Sequence, residues 1–320
     1  MPELLAQRDA FGKALVDLGA LNERVVVVDA DLASSTKANM FDAAYPGRFF
    51  QMGVTEQNVM SVAAGLATMG FVPFADTFAC FATKRALDQI RISIAQPRLH
   101  VIVVGAYGNL FVGKSGKTHQ AHEDLAIMRA MPNMTVVAPG DAVEARKAVF
   151  AVAEHDGPVY LRLTRDPCPV VFDDGYDFRI GPAVVVRQGS DVTIMTTGIM
   201  LGRAVEAAEA LQAEGLSAHI LHVPTLKPLD VESIVAAAAK TGLVVTAEEH
   251  TIIGGLGGAV AETLGEHLPT PMKRVGIADV FSESASNDAL LEKYGLTSGH
   301  IAAAATALVS GATATTSAKR

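Results

Sequence analysis

Four consecutive valines, Val25-Val26-Val27-Val28, constrain the fold more than any other stretch of this chain. A strand with one face in water alternates apolar and polar residues. An unbroken β-branched run suits a strand covered on both faces. Such strands belong to parallel sheets, whose crossover connections are helices. The flanking pattern agrees. Phe11, Leu15 and Leu18 share one face of a helix running from Arg8 to Gly19. Helices are expected over 56–69, 81–95, 123–131 and 142–153, and strands over 100–104, 135–137 and 159–163. Residues 71–74, which include Pro73, read as a short extended link.

After Arg165 the chain becomes rich in Pro, Gly and Asp, in Asp166-Pro167-Cys168-Pro169, Asp173-Asp174-Gly175 and Gly181-Pro182, as a linker would be. A second β/α alternation follows, with strands over 192–195, 218–222, 243–246 and 272–275 and helices over 202–213, 231–239 and 257–264. The fold class is therefore α/β, with two domains, each a mainly parallel sheet covered by helices. They are expected at 1–166 and 189–309, joined by a linker at 167–188. The small, polar tail at 310–320 is expected to be disordered.

Composition narrows the function classes. Of the 320 residues, 50% are hydrophobic and 19% charged, enough for two folded cores. The formal net charge is -8 with no basic tract, which argues against nucleic acid and anionic membrane as partners. The start has no signal-peptide pattern and no run reaches 18 apolar residues, so a cytoplasmic chain with no membrane span is expected. Cys80 and Cys168 are the two cysteines, which excludes a disulfide scaffold and a cysteine-based zinc site. No metal ligands are assigned to this chain.

Gly108-Asn109-Leu110-Phe111-Val112-Gly113-Lys114-Ser115 fits the phosphate-loop pattern GxxxxGK[ST]. A phosphate loop opens directly into a helix whose N-terminus holds the phosphates. Gly116-Lys117-Thr118 is a poor first helical turn, and the acidic strand end at Asp29 precedes the loop. A nucleotide-binding reading is thus disfavoured by its context.

Three other segments carry a more specific pattern. They are Gly53-Val54-Thr55-Glu56-Gln57-Asn58; Asp76-Thr77-Phe78-Ala79-Cys80-Phe81 with Arg85 and Asp88-Gln89-Ile90; and Thr118-His119-Gln120-Ala121-His122-Glu123-Asp124. In this order and spacing they resemble the pyrimidine-binding domain of transketolases. Lys227-Pro228-Leu229-Asp230, Glu248-Glu249-His250 and Gly254-Gly255-Leu256-Gly257 resemble a transketolase C-terminal domain. The likeness runs from about Arg8 to Leu308. Enzymes of this family hold the diphosphate of thiamine diphosphate, and its Mg²⁺, on a separate domain marked by a Gly-Asp-Gly motif and a downstream Asn. No Gly-Asp-Gly occurs here. The resemblance therefore implies the second half of a split transketolase. An N-terminal transketolase subunit with that motif would supply the rest, in a heterotetramer.

The roles below are what the resemblance implies. Glu56 hydrogen-bonds the aminopyrimidine of thiamine diphosphate; Phe78 and Phe81 enclose that ring, Phe81 by stacking. Asp31 lies at the cofactor and substrate channel, and His119 sits near the reacting carbon of the donor sugar. Arg8, Ser35 and Arg165 bind the sugar phosphate. Without the resemblance, Glu56 reads as a helix N-terminal acid, Phe78 and Phe81 as core, His119 as a solvated loop residue and Asp31 as a cap. His122 has no match and reads as structural. Three positions depart from the family: Ser115 stands where an Asp meets a donor hydroxyl, Tyr107 where a phosphate-site histidine is usual, and Lys84 where another aromatic wall residue is usual. The first two touch the substrate, so the sugar is expected to differ from xylulose 5-phosphate, with an apulose phosphate or a sulfosugar as candidates. A deoxyxylulose-phosphate synthase half and a 2-oxoacid dehydrogenase E1 β-like subunit remain alternatives within the same superfamily.

Overall fold

The structure, a computed structural model, describes residues 3–108, 110 and 112–317. Among the described residues, the larger sheet has seven strands. Their order in space is Thr225–Lys227, Thr135–Val137, Val159–Arg162, Ile102–Ala106, Val72–Phe78, Val25–Asp29 and Phe49–Gln51. Every neighbouring pair is parallel except the first, where Thr225–Lys227 runs antiparallel to Thr135–Val137. All five residues of Val25–Asp29 are buried, as the valine run requires. Asp29 closes the run in register with Asp76 of the neighbouring strand, so two carboxylates enter the interior side by side.

Val72–Phe78 corrects the expectation of a short link: it is a seven-residue central strand, buried throughout. Pro73 misleads because a proline cannot donate to a ladder. Here it costs nothing, for the ladder to Ile102–Ala106 begins one residue later, at Phe74. The helices end as their capping chemistry dictates. Asp141 accepts the Glu144 N–H at 2.8 Å to start Ala142–Ala153. Asp230 does the same for Val231–Thr241 through Ser233 N–H at 3.0 Å, and Gly242 ends that helix in the left-handed conformation.

The second sheet has the order Met272–Ile277, Val244–Thr251, Val192–Thr196, Ala218–His222 and Val184–Arg187, parallel except for the last, antiparallel edge strand. Residues 167–188 are not a free tether. Pro167–Pro169 pairs antiparallel with Leu4–Ala6, Val184–Arg187 completes the second sheet, and the Asp141 carboxylate accepts the N–H groups of Val171 and Phe172 at 2.7 and 2.8 Å. The tail is also corrected: the last helix runs Ser298–Ser317, through most of the segment expected to be disordered, while 318–320 lie outside the described residues.

The two units are built into each other. Thr225–Lys227, from the second unit's part of the chain, edges the first sheet. One hydrophobic cluster contains Met60, Ile90 and Met128 together with Leu221, Leu226 and Val260. Arg162 is held by Asp124 across a buried two-point contact, Nε–Oδ2 2.8 Å and Nη2–Oδ1 3.2 Å, and also donates to the Glu249 carbonyl at 3.0 Å. Arg162 opposes the cost of burial and holds the Asp124 carboxyl below the usual carboxylate range.

Candidate active site

The residues singled out in the sequence gather at the carboxyl ends of the first sheet's parallel strands, the usual place for sites in α/β proteins. The loop after Val25–Asp29 carries Asp31 and Ser35. Asp31 has φ 65°, and its N–H donates to Gln51 Oε1 at 3.0 Å. The Gln51 side chain also donates to Asp29 Oδ2 at 2.6 Å, and Leu32 N–H donates to the same oxygen at 3.0 Å. Thr36 Oγ1 donates to Asp76 Oδ2 through a short bond. Burial, followed by repulsion from Asp29, pushes the Asp76 carboxyl well above its ordinary value. Burial also raises Asp29, against the pull of its hydrogen bonds. Two buried acids thus anchor both ends of the loop that presents Asp31 and Ser35.

Two neighbouring strands end in aromatic rings. Phe78 closes Val72–Phe78, and Tyr107 follows Ile102–Ala106 at φ 55°. Tyr107 and Phe78 stack with centroids 4.1 Å apart, and Phe81 extends the row at 5.8 Å from Phe78. His119 meets the row edge-on, 5.3 Å from Phe81 and 6.1 Å from Phe78. Its Nδ1 lies 2.9 Å from Thr118 Oγ1, which leaves Nε2 as the ring nitrogen available for other chemistry.

At the other end of the row, two guanidinium groups lie near Tyr107. Arg8 is 6.0 Å and Arg165 5.4 Å from its ring centre. Arg8 Nη1 donates to Tyr107 Oη at 2.8 Å and to the Ser35 carbonyl at 3.1 Å; the tyrosine hydroxyl donates to that carbonyl at 3.2 Å. Arg8, Ser35, Tyr107 and Arg165, 157 positions apart in sequence at the extremes, therefore form one cationic corner.

Glu56 is the first residue of the helix Glu56–Thr68 and is 1% exposed. Its Oε1 accepts from Arg85 Nη1 at 2.6 Å, and Arg85 also lies 4.5 Å over the Phe81 ring. Its Oε2 is buried without a hydrogen-bond partner. A buried oxygen left without a hydrogen bond costs about 1–3 kcal/mol, and Oε2 is one of several such atoms among the described residues. A cavity of about 620 Å³ opens beside Phe81, lined also by Lys84, Arg85, Lys117 and Phe281. A larger cavity, about 800 Å³, lies by Leu4, Lys13 and Phe150 and is lined by none of these candidate site residues.

Other expected positions fall at the margin. Asp31 is exposed, and Ser115 is exposed on the Gly113–Ser115 turn, on the loop that carries His119. Lys84, already noted as a departure from the family, pairs with Glu123 at 3.1 Å. The phosphate-loop pattern ends in that same short turn and Gly116 at φ 71°, not in a helix, while its Asn109 and Phe111 lie outside the described residues.

Comparison with known proteins identifies the family. The family model for the transketolase pyrimidine-binding domain matches residues 3–169, and that for the transketolase C-terminal domain matches 181–301. The chain belongs to the transketolase family. It is 44% identical over 298 residues to the 6-deoxy-6-sulfo-D-fructose transketolase subunit SqwH of Clostridium sp. strain MSTE9, covering 93% of this chain and 92% of that protein. It is 34% identical to an apulose-4-phosphate transketolase subunit of Phocaeicola vulgatus, covering 92% of this chain and 94% of that one. A solved structure described as a split gene transketolase, inactive beta4 tetramer, superposes with a TM-score of 0.90 at 50% identity, over 96% of this chain and 99% of the other. This transketolase-family chain thus matches split-gene subunits along nearly their whole length.

Several residues that shape this candidate site were not assigned roles from sequence. Arg85 holds Glu56, and Asp29, Asp76, Thr36 and Gln51 hold the Asp31–Ser35 loop. Asp29 carried a readable signal: an acid closing a fully apolar run must find a partner inside the fold. Tyr107, noted only as a departure, is the ring on which the cationic corner is built.

Proposed function

We propose that this chain is the pyrimidine-binding subunit of a two-subunit, thiamine-diphosphate-dependent transketolase of the cytosol. It would transfer a two-carbon ketol unit from a ketose bearing a terminal anion to an aldose. The observation that carries this reading is the buried, unpartnered Oε2 of Glu56 beside the Phe78–Phe81 ring row. A flat heterocycle with a hydrogen-bonding ring nitrogen fits that pair of features. Thiamine diphosphate supplies, when bound, the carbon nucleophile and electron sink that ketol transfer needs. The partner subunit, with its Gly-Asp-Gly motif, would hold the diphosphate and Mg²⁺.

The chain's own residues then have defined tasks. Glu56 Oε2 engages the pyrimidine nitrogen, while Arg85 keeps the carboxylate oriented through Oε1. Phe81 stacks on the ring, with Phe78 behind it. His119, bonded through Nδ1 to Thr118, exchanges a proton with a donor hydroxyl through Nε2. Arg8, Ser35 and Arg165 hold the terminal anion, with Tyr107 fixing the Arg8 guanidinium. Asp31 contacts substrate, and Ser115 takes a donor hydroxyl that an acid meets in other family members.

The relatives named for sulfofructose and apulose 4-phosphate support a donor with a phosphate or sulfonate terminus. The test is reconstitution with a diphosphate-binding subunit, thiamine diphosphate and Mg²⁺. Xylulose 5-phosphate, apulose 4-phosphate and 6-deoxy-6-sulfofructose are then offered in turn. Cofactor-dependent loss of at least one, with transfer to an added aldose, is expected. Consumption of pyruvate instead would assign the chain to the synthase or dehydrogenase relatives.

A further inference from the structure

The second domain reaches the loop that carries His119. Between Met272–Ile277 and the helix Asn287–Lys293 the chain has no regular structure and lies against residues 116–122. Ser282 Oγ donates to Gln120 Oε1 in a short bond, and Gln120 Nε2 donates to the Glu283 carbonyl at 3.3 Å. Because the serine proton goes to Gln120, the 2.9 Å contact between His122 Nε2 and Ser282 Oγ requires the histidine to donate. Burial lowers the His122 pKa to about 4, which keeps the ring neutral at neutral pH. The three side chains are 2%, 6% and 3% exposed for Gln120, His122 and Ser282.

Two further contacts tighten the same seam. Gly116 has φ +71° and packs against the Ser284 side chain, so a residue with a side chain would be strained there. Thr251 N–H donates to the His122 carbonyl at 2.7 Å. His119 therefore stands between two points, Gly116 and Gln120, that are both set by the second domain. A polar chain in one direction, buried and spanning about 160 positions of sequence, orders a loop far better than surface contacts do.

We infer that Ser282, acting through Gln120, is a positioning residue: the second domain sets where the imidazole of His119 stands against the Phe78–Phe81 row. The inference rests on the active-site reading above. It gives the C-terminal domain a share in catalysis, beyond organising the assembly.

The test is Ser282→Ala, with Ser282→Thr as the variant that keeps the hydroxyl. Amide hydrogen exchange of the full chain is read at 117–121, and kcat and the KM for thiamine diphosphate are read in the two-subunit enzyme. In Ser282→Ala, exchange at 117–121 should rise about tenfold, the helix Glu56–Thr68 staying protected. With a sub-ångström shift of His119, kcat should fall about tenfold to a hundredfold, at a cofactor KM within about twofold of wild type. Ser282→Thr should recover both readouts. Unchanged exchange overturns the inference, and so does faster exchange with wild-type kcat, which would mean the seam serves stability alone. Should the wild-type enzyme transfer no ketol unit, the proposed activity falls, while the exchange data still decide whether the second domain holds the loop.

Discussion

Glu56→Gln separates a catalytic carboxylate from a structural one. The substitution keeps the shape, and the new amide oxygen can still accept from Arg85 Nη1, now 2.6 Å from Oε1. The Arg85 side chain is 49% exposed, so water can replace whatever part of the ion pair is lost. Loss of an acid from the first helical turn costs about 0.3–1 kcal/mol. Stability should therefore change by no more than about 1 kcal/mol, or a few degrees in Tm for a chain of this size. Activity should respond very differently. The amide cannot carry the proton that Oε2 is placed to exchange, and removing such a group typically costs about 10²–10⁴-fold in rate. The assay is cofactor-dependent ketol transfer by the two-subunit enzyme, with Tm measured on the same preparation. A normal Tm with turnover reduced at least about a hundredfold is expected. Wild-type turnover in Glu56→Gln would refute the cofactor-facing role of Oε2.

Arg165→Ala should raise KM for the anionic sugar by about tenfold, the low end for a charge-assisted bond because the side chain is 42% exposed, and should leave the KM for thiamine diphosphate unchanged. An unchanged sugar KM would misplace the anion site. Asp76 gives a pH test. Its folded pKa is raised well above the ordinary 3.8, so the folded chain keeps a proton that the unfolded chain releases. Its contribution is fully present below the unfolded value and is lost as pH rises toward the folded one, at about 1.4 kcal/mol per pH unit. Asp76→Asn cannot ionise, so its Tm should gain on wild type steadily as pH rises above the ordinary carboxylate range. A Tm difference that stays constant with pH would show that the Asp29–Asp76 pair holds no such proton.

Local chemistry made much of the fold readable. Thr135–Val137, Ala142–Ala153 and Ala218–His222 are where periodicity puts them, because burial on both faces or an Asp cap marks their limits. Phe49–Gln51, Thr225–Lys227 and Val184–Arg187 were not foreseen, since each is a short edge strand defined by a partner far away in sequence. The site divides in the same way. The family resemblance names Glu56, Phe81, His119, Arg8 and Arg165 but not what they touch. The Glu56–Arg85 bond, the stacking of Tyr107 under two guanidinium groups and the Ser282–Gln120 contact exist only once the chain is folded. Proline in a central strand defeated a local rule because strand pairing outweighed propensity.

The most direct measurement is a tagged purification of this chain from its native host, with every co-purifying protein identified and its stoichiometry measured. The expected result is an equimolar second subunit carrying a Gly-Asp-Gly motif with a downstream Asn, in a complex that transfers ketol units only when thiamine diphosphate is added. A chain that purifies alone, and gains no activity from thiamine diphosphate and Mg²⁺ with any diphosphate-binding subunit of the same host, would contradict the split-enzyme function.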